Sequence, residues 1–278
     1  MALVFVQCII NSLCAKAAMM MFAREKDTTP TKMYALCSLS YLGAMLASNQ
    51  SLQYISYPTQ VIGKSVKPIP VMILGILLAK KRYPPAKFVF IFMVCLGVAL
   101  FMMKDKKASD KDASQGWGFG EILLMVSLTL DGLTGASQDR MTAEHKTGAY
   151  QMMLHINLWS VLWLAVGLLM SGEGLLFLGF VQRFPEVLTK MVIFGIASAI
   201  GQVFIFITVT TFGPLPCSII TTTRKFFTIL GSVIIFQNPM NSRQWVGTVL
   251  VFLGLGLDSA YGKEKKDSKS AKPVSASR

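Results

Sequence analysis

The chain has 278 residues, of which 53% are hydrophobic and only 15% are charged, and its mean hydropathy is +0.54. Soluble domains carry about 25% charged residues, so this composition excludes an ordinary soluble protein and indicates a membrane protein. The formal net charge of +13 does not indicate a nucleic-acid partner, because most of the basic residues cluster in short loops between long apolar runs.

The sequence has no pattern typical of an enzyme, a metal site or a cofactor site. No Ser-His-Asp, HExxH or paired-carboxylate arrangement is present, and His155 is interpreted as a helix-packing residue. Lys64 and its neighbours resemble the end of a phosphate-binding loop, but Pro58 stands where that motif needs its first glycine. Five cysteines lie at unrelated spacings in apolar runs and are interpreted as packing residues: Cys8, Cys14, Cys37, Cys95 and Cys217.

Long apolar runs predict an all-α polytopic membrane protein. A helix needs about 20 residues to cross a bilayer. By that measure the sequence predicts nine transmembrane helices, near 2–22, 33–53, 58–79, 86–103, 119–137, 152–170, 189–209, 215–236 and 244–261.

The distribution of Lys and Arg predicts the orientation in the membrane. Fifteen basic residues fall in the C-terminal tail or in loops on the same side, and seven fall in loops on the opposite side. Because basic residues favour the cytoplasmic side, the C-terminus is expected in the cytosol.

A weak internal repeat predicts how the helices are arranged. The stretch 58–101 has an echo at 216–258: Lys67 follows Pro58 by nine residues, as Lys225 follows Pro216, and LGVALF corresponds to LGLGLD. A five-helix repeat is odd, so its second copy is expected to insert upside down, as in inverted-repeat transporters. The predicted parts are a first repeat at 1–103, lacking its first helix, a polar loop at 104–118, a second repeat at 119–262 and a basic disordered tail at 263–278. The alternative is nine helices with a chance echo.

Basic residues near the centres of two predicted spans are the main functional signal. Lys16 lies close enough to a helix end to snorkel. Four others would each cost about 2.5–3.5 kcal/mol in the bilayer centre unless an anion is bound. Asp131 could neutralise one of them or couple transport. The remainder predict a phosphate-binding site made of Lys64, Lys67, Arg224 and Lys225.

Helical spacing adds polar residues to this predicted cavity. Gln60, Lys64 and Lys67 fall on one stripe of a helix, and Arg224 lies on a corresponding stripe of the repeat-related helix. Two such helices would form a basic cavity sized for a di- or triphosphate, in which arginine grips phosphate oxygens bidentately. Five prolines are expected to bend or break these helices: Pro58, Pro68, Pro70, Pro214 and Pro216. Two further residues are weighed for the cavity: Asn157 could line it, and Gln202 could contact a base or sugar or form an interhelical hydrogen bond.

Four motifs carry a resemblance to a known family. YPTQVIGKSVKPIPVMILG, SLTLDGLTGASQD, HINLWS and SIITTTRKFFTILGSVI resemble the nucleotide-sugar transporter family of the drug/metabolite transporter superfamily. The resemblance is strongest to its UDP-galactose transporter-related branch, which includes the endoplasmic-reticulum ATP/ADP exchanger. It implies ten helices in a five-plus-five inverted repeat, antiport by alternating access, cytosolic termini and phosphate binding by the four basic residues with Gln60 nearby. The family's first helix is absent here, and the chain ends SASR rather than in the branch's dilysine signal.

The expected function is exchange of cytosolic ATP for lumenal ADP across the endoplasmic-reticulum membrane, with the Golgi as the alternative location. Four cations favour a nucleoside triphosphate, which carries up to four negative charges, over a UDP-sugar with two. The alternatives are a UDP-galactose or UDP-glucose transporter that exchanges for a uridine nucleotide and, in another class, a non-transporting membrane scaffold. The expected partners are a nucleotide and membrane lipid.

Overall fold

The computed structural model describes residues 1–22, 27–55, 57–102, 118–235 and 242–270. Within these ranges the secondary structure is helical and contains no strand, which confirms the all-α prediction. The helices are α1 (Ala2–Phe22), α2 (Thr31–Ser51), α3 (Tyr57–Ser65), α4 (Pro68–Leu77), α5 (Pro85–Met102), α6 (Phe119–Glu144), α7 (Ala149–Ser171), α8 (Glu173–Arg183), α9 (Glu186–Phe212), α10 (Pro214–Ile235) and α11 (Ser242–Ser270).

The outward-facing side chains of these helices are apolar. Met170 is 85% exposed and Phe204 is 67% exposed, with many leucines and isoleucines like them. A water-soluble protein rarely exposes contiguous apolar surface on this scale, whereas a lipid environment accommodates it. Within the described ranges, five stretches are long and apolar enough to cross a membrane: Ala2–Met21, Thr59–Leu77, Phe119–Glu144, Ala149–Ser171 and Glu186–Phe212. The molecule is a multi-pass membrane protein, and the count of nine spans stays a prediction.

The predicted span 58–79 is two helices rather than one. α3 ends at Ser65 and α4 begins at Pro68, with Lys67 in the turn between them. Pro68 has no backbone N–H, and its ring would clash with the carbonyl of Lys64 in a continuous helix. That carbonyl instead accepts a 3.3 Å hydrogen bond from the Lys67 N–H.

The other four of the five prolines predicted to bend or break these helices lie in first turns instead. Pro214 and Pro216 occupy the first turn of α10, and Pro70 occupies the first turn of α4. The N–H groups of a first turn have no intrahelical partner, so a proline there removes no hydrogen bond. The expectation that Pro214 and Pro216 break their helix is therefore wrong.

Helix α8 was not predicted from the sequence. It spans 11 residues, about 16 Å at 1.5 Å per residue, which is too short to cross a bilayer. Gly172, with φ +69°, lies in the left-handed region, where it ends α7 and precedes α8. None of the α8 residues is buried.

The chain divides into two compact units. The first contains 1–55, 70–81 and 116–218, and the second contains 56–69, 82–115 and 219–278, of which only the described residues are discussed. Within the first unit, α2 and α6 run antiparallel, since Cys37 contacts the carbonyl of Thr134 and Ser127 donates to the carbonyl of Ala44. Its core includes buried residues of α1, α2, α6, α7 and α9, among them Ala15, Tyr34, Met141, Met152 and Phe206.

Within the second unit, α5 and α11 are the closest-packed pair. A Cβ built on Gly97 would lie 2.9 Å from the backbone nitrogen of Val251, and one built on Gly254 would lie 3.2 Å from that of Val94. Gly254 stands 157 positions after Gly97, and Val251 stands 157 positions after Val94. The two helices therefore run antiparallel and make matching contacts at positions related by the sequence repeat. The core of this unit consists of Val94, Val98, Phe101, Phe226 and Val251.

The predicted polar loop and the predicted C-terminal tail lie partly outside the described residues. The polar loop at 104–118 is outside them except for Gly118. Helix α11 continues to Ser270, so its backbone extends into the segment predicted as a disordered tail, and 271–278 lie outside the described ranges.

Candidate functional site

The basic residues predicted in the span 58–79 lie on both sides of the break between α3 and α4. Gln60 and Lys64 lie on α3, where Gln60 is 8% exposed and Lys64 is half-buried. Lys67, also half-buried, lies in the turn before α4. A break of this kind brings backbone polar groups and a lysine to a point inside an otherwise apolar segment, which membrane proteins tolerate where protein or a polar cavity surrounds it.

The second set of basic residues lies on α10. Arg224 is exposed, and its backbone carbonyl accepts a 2.9 Å hydrogen bond from the Thr228 hydroxyl one turn later. Lys225 follows it on the same helix, but its side chain lies outside what the structure describes. Both positions, like Lys64 and Lys67, belong to the second compact unit. The fold thus collects all four predicted phosphate-binding positions in one unit.

Asn157 and Gln202 lie in the first unit, in a hydrogen-bond chain across four helices. Asn11 on α1 donates to the Asn157 Oδ1 at 3.3 Å, and Asn157 donates to the Gln202 Oε1 at 3.0 Å. Gln202 on α9 then donates to the Tyr41 hydroxyl on α2 at 2.9 Å. Asn157 is fully buried. Of the two roles considered for Gln202, this structure contains the interhelical hydrogen bond, and contact with a nucleotide stays a prediction.

The sequence signal for two members of this chain was available but weak. Asn11 is an amide within an apolar run, and Tyr41 is one of two tyrosines in α2. The four residues lie on different helices, and their contacts depend on how these helices pack. For this reason no spacing pattern in the sequence links Asn11 or Tyr41 to Asn157 or Gln202.

Two acidic residues pair with basic residues outside the four predicted phosphate-binding positions. Lys81 lies 2.5 Å from the buried carboxylate of Asp139, and Lys87 lies 3.1 Å from the half-buried carboxylate of Asp258. Asp131 is half-buried on α6 and interacts electrostatically with Tyr41. Asp139 and Asp258 therefore each form an ion pair with a lysine outside the predicted phosphate site.

His155 takes part in a packing contact at the ends of α2 and α7. Its ring stacks on that of Tyr34, with centroids 4.7 Å apart and planes 16° from parallel. The Tyr34 hydroxyl donates to Asp27 at 2.6 Å, and Nδ1 of His155 lies 2.9 Å from the carbonyl oxygen of Gln151. These contacts agree with the interpretation of His155 as a packing residue.

Comparison with known proteins gives the family. The UAA transporter family matches residues 1–262. Solute carrier family 35 member B1 of Xenopus tropicalis is 57% identical over 267 residues, covering 96% of this chain and 83% of that protein. The protein of that name in Danio rerio is 56% identical over 265 residues, covering 95% and 80%. The homolog in Drosophila melanogaster is 45% identical over 273 residues, covering 98% and 80%.

A solved crystal structure of another protein has the same fold. It superposes with a TM-score of 0.65 at 10% identity and covers 94% of this chain and 88% of that one. At this identity the likeness concerns the fold alone.

The family match and these relatives indicate a membrane transporter rather than an enzyme. The chain belongs to the UAA transporter family, which confirms the resemblance to nucleotide-sugar transporters predicted from its motifs.

Proposed function

We propose that the protein is a nucleotide antiporter of the endoplasmic-reticulum membrane that exchanges cytosolic ATP for lumenal ADP. The observation that carries this proposal is that Lys64, Lys67, Arg224 and Lys225 belong to one compact unit. Cations inside apolar segments are costly, and a polyphosphate compensates several of them at once. The substrate is therefore expected to be a nucleotide, held by its phosphates.

The different chemistry of the basic residues suits this task. Arg224 can form two parallel hydrogen bonds with phosphate oxygens, while Lys64 and Lys67 act as mobile point charges. Gln60, one turn before Lys64, offers an amide to a phosphate or a ribose. Asn157, Gln202 and Asp131 belong to the other unit, and their roles as cavity residues and as a charge partner stay predictions from the sequence.

Alternating access requires two related halves that exchange positions around a site. The matching contacts of Gly97 and Gly254, 157 positions apart, support a two-fold relation between the C-terminal helices of the two repeats. We propose on this basis that the chain is an inverted-repeat transporter.

The main alternative substrate, a UDP-sugar, differs from ATP in its negative charge. A UDP-galactose or UDP-glucose transporter would bind a diphosphate with two negative charges. The four basic positions carry a formal charge of +4, which matches the up to four negative charges of ATP better than the two of a UDP-sugar. We therefore favour the triphosphate as the substrate.

Counterflow in proteoliposomes tests the proposal. The purified 278-residue chain is reconstituted, the vesicles are preloaded with ADP, UMP or buffer, and uptake of labelled ATP and UDP-galactose is measured. We expect preloaded ADP to accelerate ATP uptake. Stimulation of UDP-galactose uptake by UMP, without an effect of ADP, would establish the alternative substrate. No stimulation by any nucleotide would leave a non-transporting scaffold.

A further inference from the structure

Helix α8 connects two membrane-crossing helices of the first unit at one side of the bilayer. α7 and α9 are each long and apolar enough to cross a membrane, and α8 is not. A Cβ built on Gly213, the residue after α9, would lie 3.4 Å from the Oδ1 of Asp139, close to the end of α6 and hence to the start of α7. Because α9 thus ends on the side where α7 begins, α8 lies on the opposite side of the membrane.

The sequence of α8 is apolar between two charged ends. Glu173 is its first residue and Arg183 its last, and the residues between them include one polar side chain, that of Gln182. A helix of 11 residues is not stable alone in water, where helices shorter than about 12–15 residues are marginal. α8 therefore requires an apolar surface against which it can pack.

The protein covers one stripe of α8. This stripe is half-buried and consists of Gly174, Phe177 and Val181, which lie on successive turns of the helix. A Cβ built on Gly174 would lie 3.7 Å from the Leu168 carbonyl oxygen of α7, so the stripe faces the protein. The remaining apolar side chains of α8 point elsewhere.

Outside this stripe the surface of α8 is exposed and apolar. Leu175 is 79% exposed and Leu176 is 75% exposed, and Leu178 is exposed as well. Along the chain these leucines directly follow the lipid-facing surface of α7, whose last turn presents Leu169 and Met170 outward. The apolar surface of α8 therefore continues the surface that the bilayer covers.

We propose that α8 is an interfacial helix that binds the lipid bilayer, on the side of the membrane opposite the start of α7. Its exposed leucines insert among the acyl chains, and the half-buried stripe holds it against α7. A helix of this kind lies about 5–10 Å deep, at the boundary between the headgroups and the acyl chains. The connection between α7 and α9 is thus anchored in the membrane, whatever substrate the protein transports.

The charges of α8 indicate which lipids it requires. Glu173 and Arg183 cancel, so the helix has a formal net charge of zero. Helices that bind anionic membranes are rich in Lys and Arg on their polar face, whereas α8 has one basic residue. Its binding therefore depends on apolar contact, and zwitterionic phosphatidylcholine is sufficient.

Spin-label accessibility measures the depth of α8 in the full chain. A spin-labelled noncanonical amino acid, which leaves the native cysteines intact, replaces Leu175 or Leu176 in separate variants reconstituted in phosphatidylcholine nanodiscs. Oxygen concentrates among acyl chains and a nickel chelate stays in water, so the ratio of their collision rates reports depth. We expect the ratio at both positions to approach that of Leu169 on α7 and to exceed that of the exposed Glu144 at the end of α6.

A double variant tests whether the leucines cause the insertion. With the label at Leu178, Leu175→Gln/Leu176→Gln should lower the oxygen-to-nickel ratio toward that of Glu144, because less apolar surface enters the lipid. Arg183→Gln is the matched control, which removes the one cation of α8 and should leave the ratio unchanged. Replacement of part of the lipid by anionic phosphatidylglycerol should also leave it unchanged.

Each of the alternative outcomes contradicts this lipid-bound position of α8. A ratio at Leu175 and Leu176 equal to that of Glu144 would place the helix in water. Protection of both positions from oxygen and nickel alike would mean that protein, such as a second copy of this chain, covers them. An unchanged ratio in the leucine double variant, or a ratio that depends on Arg183 or on phosphatidylglycerol, would overturn binding through the leucines.

Discussion

Gly97 and Gly247 face each other across α5 and α11 so closely that a Cβ on either would lie within 2.7 Å of the other's carbonyl oxygen. Such distances are shorter than any ordinary side-chain contact, so the two backbones are in direct contact. In membranes, where helices gain little from excluding water, close approach of this kind is a principal source of helix association. Small residues at this crossing therefore hold the second unit together.

The first prediction concerns this crossing. Gly97→Ala should destabilise the protein by about 1–3 kcal/mol, since the new methyl group meets backbone that can yield only by separating the helices. Thermal unfolding of the purified protein in detergent, followed by the loss of a monodisperse peak, measures the effect. Gly256→Ala on α11 is the matched control, because a Cβ there has nothing within 4 Å. Equal melting temperatures for the two variants would show that the close approach contributes nothing to stability.

The second prediction concerns the proposed phosphate site. Lys67→Ala and Arg224→Ala should each abolish ATP/ADP exchange while leaving membrane insertion intact, because each removes a cation that the proposed site uses to bind the phosphates of the nucleotide. Counterflow and a nucleotide-dependent shift of the melting temperature are measured together. Lys16→Ala, which removes an exposed lysine of α1, is the control. Normal exchange by both site variants would make the cations structural.

The third prediction concerns the hydrogen-bond chain of the first unit. Gln202→Leu removes the acceptor of Asn157 and the donor to Tyr41, and interhelical hydrogen bonds in membranes are each worth about 0.6–1.7 kcal/mol. We expect a lower melting temperature with an unchanged KM for ATP. Thr208→Val on the same helix, which removes an exposed hydroxyl bonded only within α9, is the control. A rise in KM at unchanged stability would instead place Gln202 against the substrate.

Much of the fold could be predicted because the bilayer imposes a simple rule of length and hydropathy, and each of the nine predicted segments overlaps a helix of the structure. A break at Pro68 could be predicted because a proline inside a helix removes a backbone hydrogen bond. The prediction for Pro214 was wrong because a proline in the first turn of a helix removes no hydrogen bond. Whether a proline breaks a helix or begins one depends on where the preceding helix ends, which the sequence does not show.

The pairing of Lys81 with Asp139 illustrates what sequence reasoning misses. The two residues are 58 positions apart, and a lysine after a helix is normally solvated. Its partner depends on a left-handed residue at the end of α4 and on a glycine that ends α9, neither of which forms a recognisable pattern with Asp139. Contacts of this kind are tertiary, so spacing along the chain carries little information about them.

The fourth prediction concerns the backbone that presents Lys81. A residue with a Cβ in the left-handed region costs roughly 1–2 kcal/mol, and Lys80 has φ +53°. Lys80→Gly removes this strain, although glycine loses more conformational entropy on folding. We expect a net gain of about 0.5–1 kcal/mol in the free energy of unfolding, measured by denaturant titration in detergent, with an unchanged KM because Lys81 keeps its place. Lys80→Ala is the control: it removes the same charge but keeps the Cβ, so it should not be stabilised. If alanine and glycine stabilise equally, the gain comes from removing a charge beside Lys81 and not from relief of backbone strain.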